Sequence, residues 1–108
     1  MRNPLQLLEA TVLYLEENPD KHTEYHWHDG TVGGIAGWLC IFAGAAINGT
    51  GFKTWATYHD EDIGIYDLAR QLLKLDRATA NDIFIADSKA DALAAARAYI
   101  ADRKEHHR

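Results

Sequence analysis

The sequence predicts an all-α protein: a compact bundle of about five helices around a central glycine-rich apolar helix, with at most a short strand. Two observations favour this fold. Between Asp29 and Lys53, 23 consecutive positions carry no charged residue, and charged residues are frequent on both sides of this interval. Elsewhere, apolar residues recur at the three- and four-residue spacing of an amphipathic helix. With 108 residues, we expect a single helical domain over positions 1–108.

The first helix is predicted over residues 4–18 from local signals at both of its ends. Asn3 can cap it, Pro4 suits its first position, and Gln6 stands at the spacing of a capping box. Pro19 ends the helix, since the residue before a proline disfavours helical geometry. The apolar positions that recur at helical spacing are Leu5, Leu8, Val12 and Leu15.

The central helix is predicted over residues 32–47, with Thr31 as its cap. These 16 residues would span roughly 24 Å as a helix at ~1.5 Å per residue, whereas a bilayer core needs about 30 Å. Glycines at positions 33, 34, 37 and 44 lower the helix propensity and the hydrophobicity further. We therefore interpret this segment as the buried centre of the domain and not as a membrane span.

Three more helices are predicted after a strong break at residues 48–51, Asn-Gly-Thr-Gly. They cover residues 61–75, 79–86 and 89–105. The carboxylates at positions 60–62 would favour the positive end of the first of these helices, and Ser88 can cap the last. Residues 53–58, KTWATY, fit either a short strand or a helical turn.

Composition excludes several classes of protein. The chain is 47% hydrophobic and 25% charged, with 11 basic and 16 acidic residues and a formal net charge of −5. These proportions are typical of a globular domain, and an acidic balance without a basic stripe argues against nucleic acid as a partner. A single cysteine, Cys40, excludes an internal disulfide and a cysteine-based zinc finger. Three glutamates among the first 18 residues interrupt any apolar leader, so we expect a cytoplasmic protein.

Three segments of the chain carry a resemblance to a known group. Residues 30–40, GTVGGIAGWLC, resemble the GT-x-x-C-I-A-G-W-A signature of small actinobacterial and actinobacteriophage proteins of unknown function. Residues 72–75, LLKL, followed by 80–84, ANDIF, resemble their "LLGL…A…LF" segment, and Trp27 matches a tryptophan in the loop that precedes both. Where relatives often have a cysteine before Ile-Ala-Gly, this sequence has Gly34, which weakens the case for a shared thiol or metal role. The resemblance implies a small helical protein of a bacterial or phage-infected host cell, and no reaction.

The glycine-rich motif is interpreted as structural. Its members are small or apolar residues whose pattern suits the close packing of a buried helix: Gly30, Thr31, Gly33, Gly37, Trp38 and Cys40. A reactive thiol needs exposure and a neighbouring base, whereas Cys40 lies between Leu39 and Ile41 in the apolar segment, so we expect a core residue there.

Histidines are the best candidates for metal ligands. His22, His26 and His28, together with Asp29, are the best candidates in the polar loop after the first helix, and His59 with Asp60 could make a second contribution. A site built from His26, His28 and His59 is the metal hypothesis. Zinc takes three or four such ligands in a tetrahedron. The alternative is that these histidines are exposed or bond backbone groups, and the lack of an HExxH motif favours it. No cofactor is expected, with zinc the one possibility.

The preferred function is non-enzymatic binding of a protein partner or of a second copy of the chain, without nucleic acid or membrane. It depends on an aromatic set, Tyr25, Trp27, Trp55 and Tyr58, because tyrosine and tryptophan are common at binding hot spots. Two alternatives stay open. One is a metal-binding protein that uses the loop histidines, and the other is a small-ligand sponge or sensor with a pocket lined by Trp27, Trp38 and Trp55.

Overall fold

The computed structural model describes residues 3–23, 33–50 and 53–106, and these residues form a mixed α/β fold. Along the described chain the elements are α1 (Pro4–Glu17), α2 (Ile35–Phe42), β1 (Ala46–Thr50), β2 (Lys53–Tyr58), β3 (Glu61–Ile63), α3 (Ile65–Leu73), α4 (Arg77–Phe84) and α5 (Lys89–His106). A single turn of 3-10 helix, Pro19–Lys21, follows α1.

The prediction of an all-α fold is wrong because a three-stranded antiparallel sheet lies between α2 and α3. The segment predicted as one helix over 32–47 contains the shorter helix α2 and the first residues of strand β1. Helix α2 ends at Phe42, and Gly44 has a φ of +99°, a conformation that terminates a helix and that glycine adopts at low cost. The chain then enters β1 at Ala46.

The helix predicted over 61–75 is also shorter than expected. Residues Glu61–Ile63 form β3, and α3 begins only at Ile65. The carboxylates at positions 60–62 therefore belong to a turn and a strand and not to a helix N-terminus. The ambiguous segment 53–58 forms β2, which pairs with both of its neighbours.

The sheet has the strand order β1-β2-β3. In β1 and β2, Asn48 lies opposite Trp55 and Ala46 lies opposite Thr57. In β2 and β3, Thr57 lies opposite Asp62. Ala56 is completely buried and faces the helices, so the residues on either side of it in β2 face away from the core.

The core lies where α2 meets α1, α3 and the sheet. Every residue of α2 from Ile35 to Cys40 is buried, and the side chains of Leu8, Val12 and Leu15 on α1 are completely buried beside it. Asn3 caps α1 as its sequence predicts: Oδ1 of Asn3 accepts from the backbone N–H of Gln6 at 2.8 Å. Among the described helices, none combines the length and the apolar character that a membrane crossing requires.

Two ion pairs join α1 to α5. Nζ of Lys104 lies 3.2 Å from a carboxylate oxygen of Glu9. Arg97 donates two hydrogen bonds to the Glu16 carboxylate, one of them from Nε at 3.1 Å. Since the earlier acid pairs with the later base, the two helices run antiparallel.

Candidate binding surface

An exposed tryptophan marks the outward face of the sheet. The side chain of Trp55 is 41% exposed, although tryptophan is large and apolar and is normally largely buried. Its ring lies against the backbone of β1: a Cβ placed on Gly49 would be 3.0 Å from Cζ3 of Trp55. An aromatic ring over a strand glycine covers backbone that would otherwise be bare, so Trp55 is held on the sheet with its remaining surface open.

A chain of side-chain hydrogen bonds crosses all three strands beside Trp55. Nδ2 of Asn48 donates to Oγ1 of Thr57 at 2.8 Å, and Oγ1 of Thr57 donates to Oδ1 of Asp62 at 2.7 Å. The threonine hydroxyl is thus both acceptor and donor, which fixes the orientation of its two neighbours. We call Ala46, Asn48, Trp55, Thr57 and Asp62 the outer sheet face.

The two edges of the sheet differ in their protection against pairing with another chain. Strand β3 is only three residues long and carries Glu61 and Asp62, and both shortness and charge discourage edge pairing. Strand β1, AINGT, has five residues and neither charge nor proline. Among the described residues, β2 is the only strand that pairs with β1, so no described strand covers the other edge of β1.

The turn between β2 and β3 holds the histidine that the sequence singled out. His59 and Asp60 both have positive φ values, 51° and 65°, which is the geometry of a tight hairpin turn. The exposed ring of His59 lies over Tyr58, with a centroid distance of 4.1 Å. Tyr58 itself packs partly against the core, and it belongs to the face of β2 opposite Trp55.

The other proposed metal ligands, His26 and His28, lie outside the described residues, as do Tyr25, Trp27, Gly30 and Thr31. Within the described part of the chain, no three histidine, cysteine or carboxylate side chains are grouped as metal ligands.

The described residues on either side of positions 24–32 are joined by backbone hydrogen bonds. The N–H of Thr23 donates to the carbonyl of Gly33, and the N–H of Gly33 donates to the carbonyl of Lys21, both at 3.0 Å. The same Lys21 carbonyl accepts from Nε1 of Trp38 at 2.9 Å. Trp38 is 9% exposed and packs with Tyr14 at a centroid distance of 4.9 Å, so it anchors Lys21 to α1 and α2.

Cys40 has the surroundings of a core residue. Its side chain is completely buried beside Gly37 and Trp38 of the same helix, and its Sγ lies 3.6 Å from the carbonyl oxygen of Ile65, to which it donates. Burial raises the pKa of the thiol to about 12, because the charged thiolate is poorly solvated there. The geometry leaves Cys40 without thiolate chemistry near neutral pH.

Sequence reasoning named Trp55, Tyr58 and His59 but missed Asn48, Thr57 and Asp62. The signal that could have found them is the glycine-containing stretch 48–51 before the alternating segment KTWATY, which is typical of a turn between two strands. This signal does not give the register, because a hairpin turn at Asn48-Gly49 would differ from the observed pairing, in which both residues lie within β1 and Asn48 is opposite Trp55.

No family model matches this chain, and neither a search of curated proteins nor one of solved structures found a significant match. The resemblance to actinobacterial and phage proteins therefore stays a prediction.

Proposed function

We propose that this chain is a non-enzymatic binding domain that captures an extended segment of a partner protein along strand β1. One observation carries the proposal: β1, an uncharged edge strand that pairs with β2 alone among the described strands, lies directly beside the exposed Trp55. An extended peptide that adds to a sheet edge gains affinity from main-chain hydrogen bonds and specificity from the side chains around them. Strand β1 would supply the main-chain hydrogen bonds, and the side chains of the outer sheet face would supply the specificity.

The surface is held in its binding form before a partner arrives. The hydrogen bonds from Asn48 to Thr57 and from Thr57 to Asp62 tie the three strands together, and Trp55 lies over the backbone at Gly49. A preformed surface loses little conformational entropy on binding. The partner segment needs only to become extended.

Charge selects the kind of partner. The chain carries a net charge of −5, and the turn and strand next to Thr57 contribute three acidic side chains at positions 60–62 against one basic side chain in the sheet, Lys53. A second copy would bring the same negative charge, whereas a basic segment is attracted. We therefore assign to the partner an extended basic segment with one large apolar side chain that packs on Trp55.

The experiment is a selection of phage-displayed random nonapeptides on the purified chain, followed by calorimetry with the selected peptides. We expect the peptides to be enriched in lysine or arginine and to carry an aromatic or aliphatic residue. Added peptide should slow amide hydrogen exchange in β1. Substitution of Trp55→Thr should weaken binding at least about tenfold, as expected for a hot-spot aromatic residue.

Two matched controls separate this surface from others. Leu13 on α1 is also a large exposed apolar residue, 50% exposed, and Leu13→Thr should leave binding unchanged. Ala46→Lys places a positive charge on the edge strand and should weaken binding of a basic peptide, whereas Ala94→Lys on the exposed face of α5 should not. Equal effects of Trp55→Thr and Leu13→Thr would overturn the proposal, as would peptides that protect helices and not β1.

A further inference from the structure

A second surface feature lies away from the sheet. A groove of about 500 Å³ is formed by the first turn of α1, the end of α3 and the C-terminal part of α5. Pro4, Leu5 and Leu73 contribute apolar surface, and the ring of Tyr99 adds an aromatic wall. The volume falls within the range that small-molecule sites occupy.

Two cations, Lys74 and Arg103, line the same groove. Lys74 is positioned by its backbone, which caps α3 in a left-handed conformation with a φ of 57°. Within the described part of the chain, the Lys74 ammonium has neither an ion pair nor a hydrogen bond. The contrast with Arg97 and Lys104 is informative, because those two bases on α5 are matched by glutamates of α1.

Arg103 is oriented by the aromatic wall and not by a carboxylate. Its Nε donates to the hydroxyl of Tyr99 at 3.0 Å, and its Cζ lies 5.3 Å from the centroid of the Tyr99 ring. This contact uses one of the five guanidinium N–H groups and leaves the two terminal nitrogens for a ligand. A guanidinium held in this way binds a carboxylate through two parallel hydrogen bonds.

We propose that this groove binds a small carboxylic acid with an apolar body, with the carboxylate at Arg103 and Lys74 and the body against Leu5, Leu73 and Tyr99. Charge complementarity carries the assignment. Among the described residues, neither Lys74 nor Arg103 forms an ion pair with a carboxylate, although the neighbouring Asp102 attracts Arg103 from a longer distance. The two cations flank an apolar floor, so the groove suits a ligand that brings both a negative charge and an apolar group. The first turn of α1 contains no acidic residue that would compete for the cations.

The chemistry fits a free acid and the C-terminal residue of a peptide equally, and the test distinguishes them. The probes are 4-phenylbutyrate, octanoate and the peptide N-acetyl-Ala-Ala-Leu, each compared with its own carboxamide. Binding is followed by amide chemical shifts in a two-dimensional NMR titration of the full chain. We expect saturable shifts at Leu5, Leu73 and Tyr99 with the acids, and affinities at least about tenfold lower for the amides. Binding by the free acids would support the proposal, and binding by the peptide acid alone would overturn it in favour of a chain terminus as the ligand.

Substitutions of Arg103 and Lys74 test whether these two side chains bind the ligand carboxylate. Arg103→Gln should weaken binding at least about tenfold and Lys74→Gln severalfold. Arg77→Gln, an exposed basic residue outside the groove, should change nothing. Tyr99→Phe keeps the aromatic wall but removes the hydroxyl that orients Arg103, so a smaller loss is expected. Amides that bind as well as acids, shifts centred elsewhere, or acids that do not bind at all would each overturn the proposal. Trp55→Thr should leave acid binding intact.

Discussion

At the scale of single residues, positive φ values identify the positions where the backbone limits what the sequence can contain. Gly49 in β1 has a φ of +82°, and a Cβ there would lie 1.9 Å from the carbonyl oxygen of Lys53. Gly44 also has a positive φ, +99°, but a Cβ placed on it would meet no neighbouring atom within 4 Å. Substitution of Gly44 by alanine therefore tests the cost of backbone strain alone, whereas substitution of Gly49 tests strain together with a steric clash.

Gly49→Ala should destabilise the chain by at least about 2 kcal/mol, because strain in the backbone and contact with Lys53 add together. Gly44→Ala should cost only about 1–2 kcal/mol, which is the strain of the conformation alone. Urea denaturation followed by circular dichroism measures both values. Equal losses for the two variants would show that β1 and β2 move apart enough to relieve the contact at Gly49.

At the turn formed by His59 and Asp60, introducing a glycine should raise the stability of the chain. Both residues hold positive φ values, 51° and 65°, at positions where two-residue hairpin turns prefer Asn-Gly. Asp60→Gly should therefore stabilise the chain by about 0.5–1 kcal/mol. Asp82→Gly, in the exposed part of α4, should instead destabilise it by about 0.3 kcal/mol, the difference between the helix propensities of aspartate and glycine. A destabilised Asp60→Gly variant would contradict this, since it would mean that interactions of the Asp60 side chain stabilise the fold by more than the strain of its positive φ.

At the scale of elements, the pairing of α1 with α5 depends on matched spacing. Glu9 and Glu16 lie seven positions apart, and so do Arg97 and Lys104. Because the two helices are antiparallel and the interval is the same on both, Glu9 meets Lys104 and Glu16 meets Arg97. Hydrogen bonding from Arg97 places the pKa of the Glu16 carboxyl below its ordinary value of 4.5. Folding therefore favours the charged form of Glu16.

This pair gives a prediction with a defined pH dependence. Because the folded-state pKa of Glu16 is lowered, its contribution to stability is present above about pH 4.5 and is lost as the pH falls through the lower folded value. The side chains of Arg97 and Glu16 are 45% and 36% exposed, so screening keeps the contribution below about 1 kcal/mol. Glu16→Gln should reduce the free energy of unfolding at pH 7, and this reduction should become smaller as the pH falls below about 4.5, with Glu17→Gln as the control. A difference that persists at low pH would point to packing and not to charge.

Elements with start and stop signals of their own could be predicted from the sequence, and strands that are defined by pairing with a neighbouring strand could not. Asn3, Pro4 and Gln6 encode the start of α1 within four positions. The apolar run 32–47 has no such local divider except Gly44, and hydrophobicity alone does not distinguish the end of α2 from the start of β1.

On the candidate surface, too, some residues could be predicted from the sequence and others depend on strand pairing. Trp55 and Tyr58 stand out by residue type, so composition finds them. Asn48, Thr57 and Asp62 matter only because the strand register brings them together, and register is a property of the folded sheet. Their hydrogen bonds could not be predicted while residues 48–51 were interpreted as a break between helices.

At the scale of the whole molecule, Cys40 reports on global unfolding. Its thiol is completely buried in the helix that α1 and α3 cover, and burial raises its pKa to about 12. Labelling by a disulfide reagent at pH 8 should therefore be at least about a thousandfold slower in the native chain than in the unfolded chain. The labelling rate should rise with urea in parallel with unfolding measured by circular dichroism. Rapid labelling without denaturant would show that α2 opens locally.

The backbone hydrogen bonds of Lys21 and Thr23 with Gly33 also bear on how this sequence can vary. They join the described residues on either side of positions 24–32. The donors are the backbone N–H groups of Thr23 and Gly33. Every residue except proline supplies such an N–H. Natural variants of this chain should therefore exclude proline from positions 23 and 33.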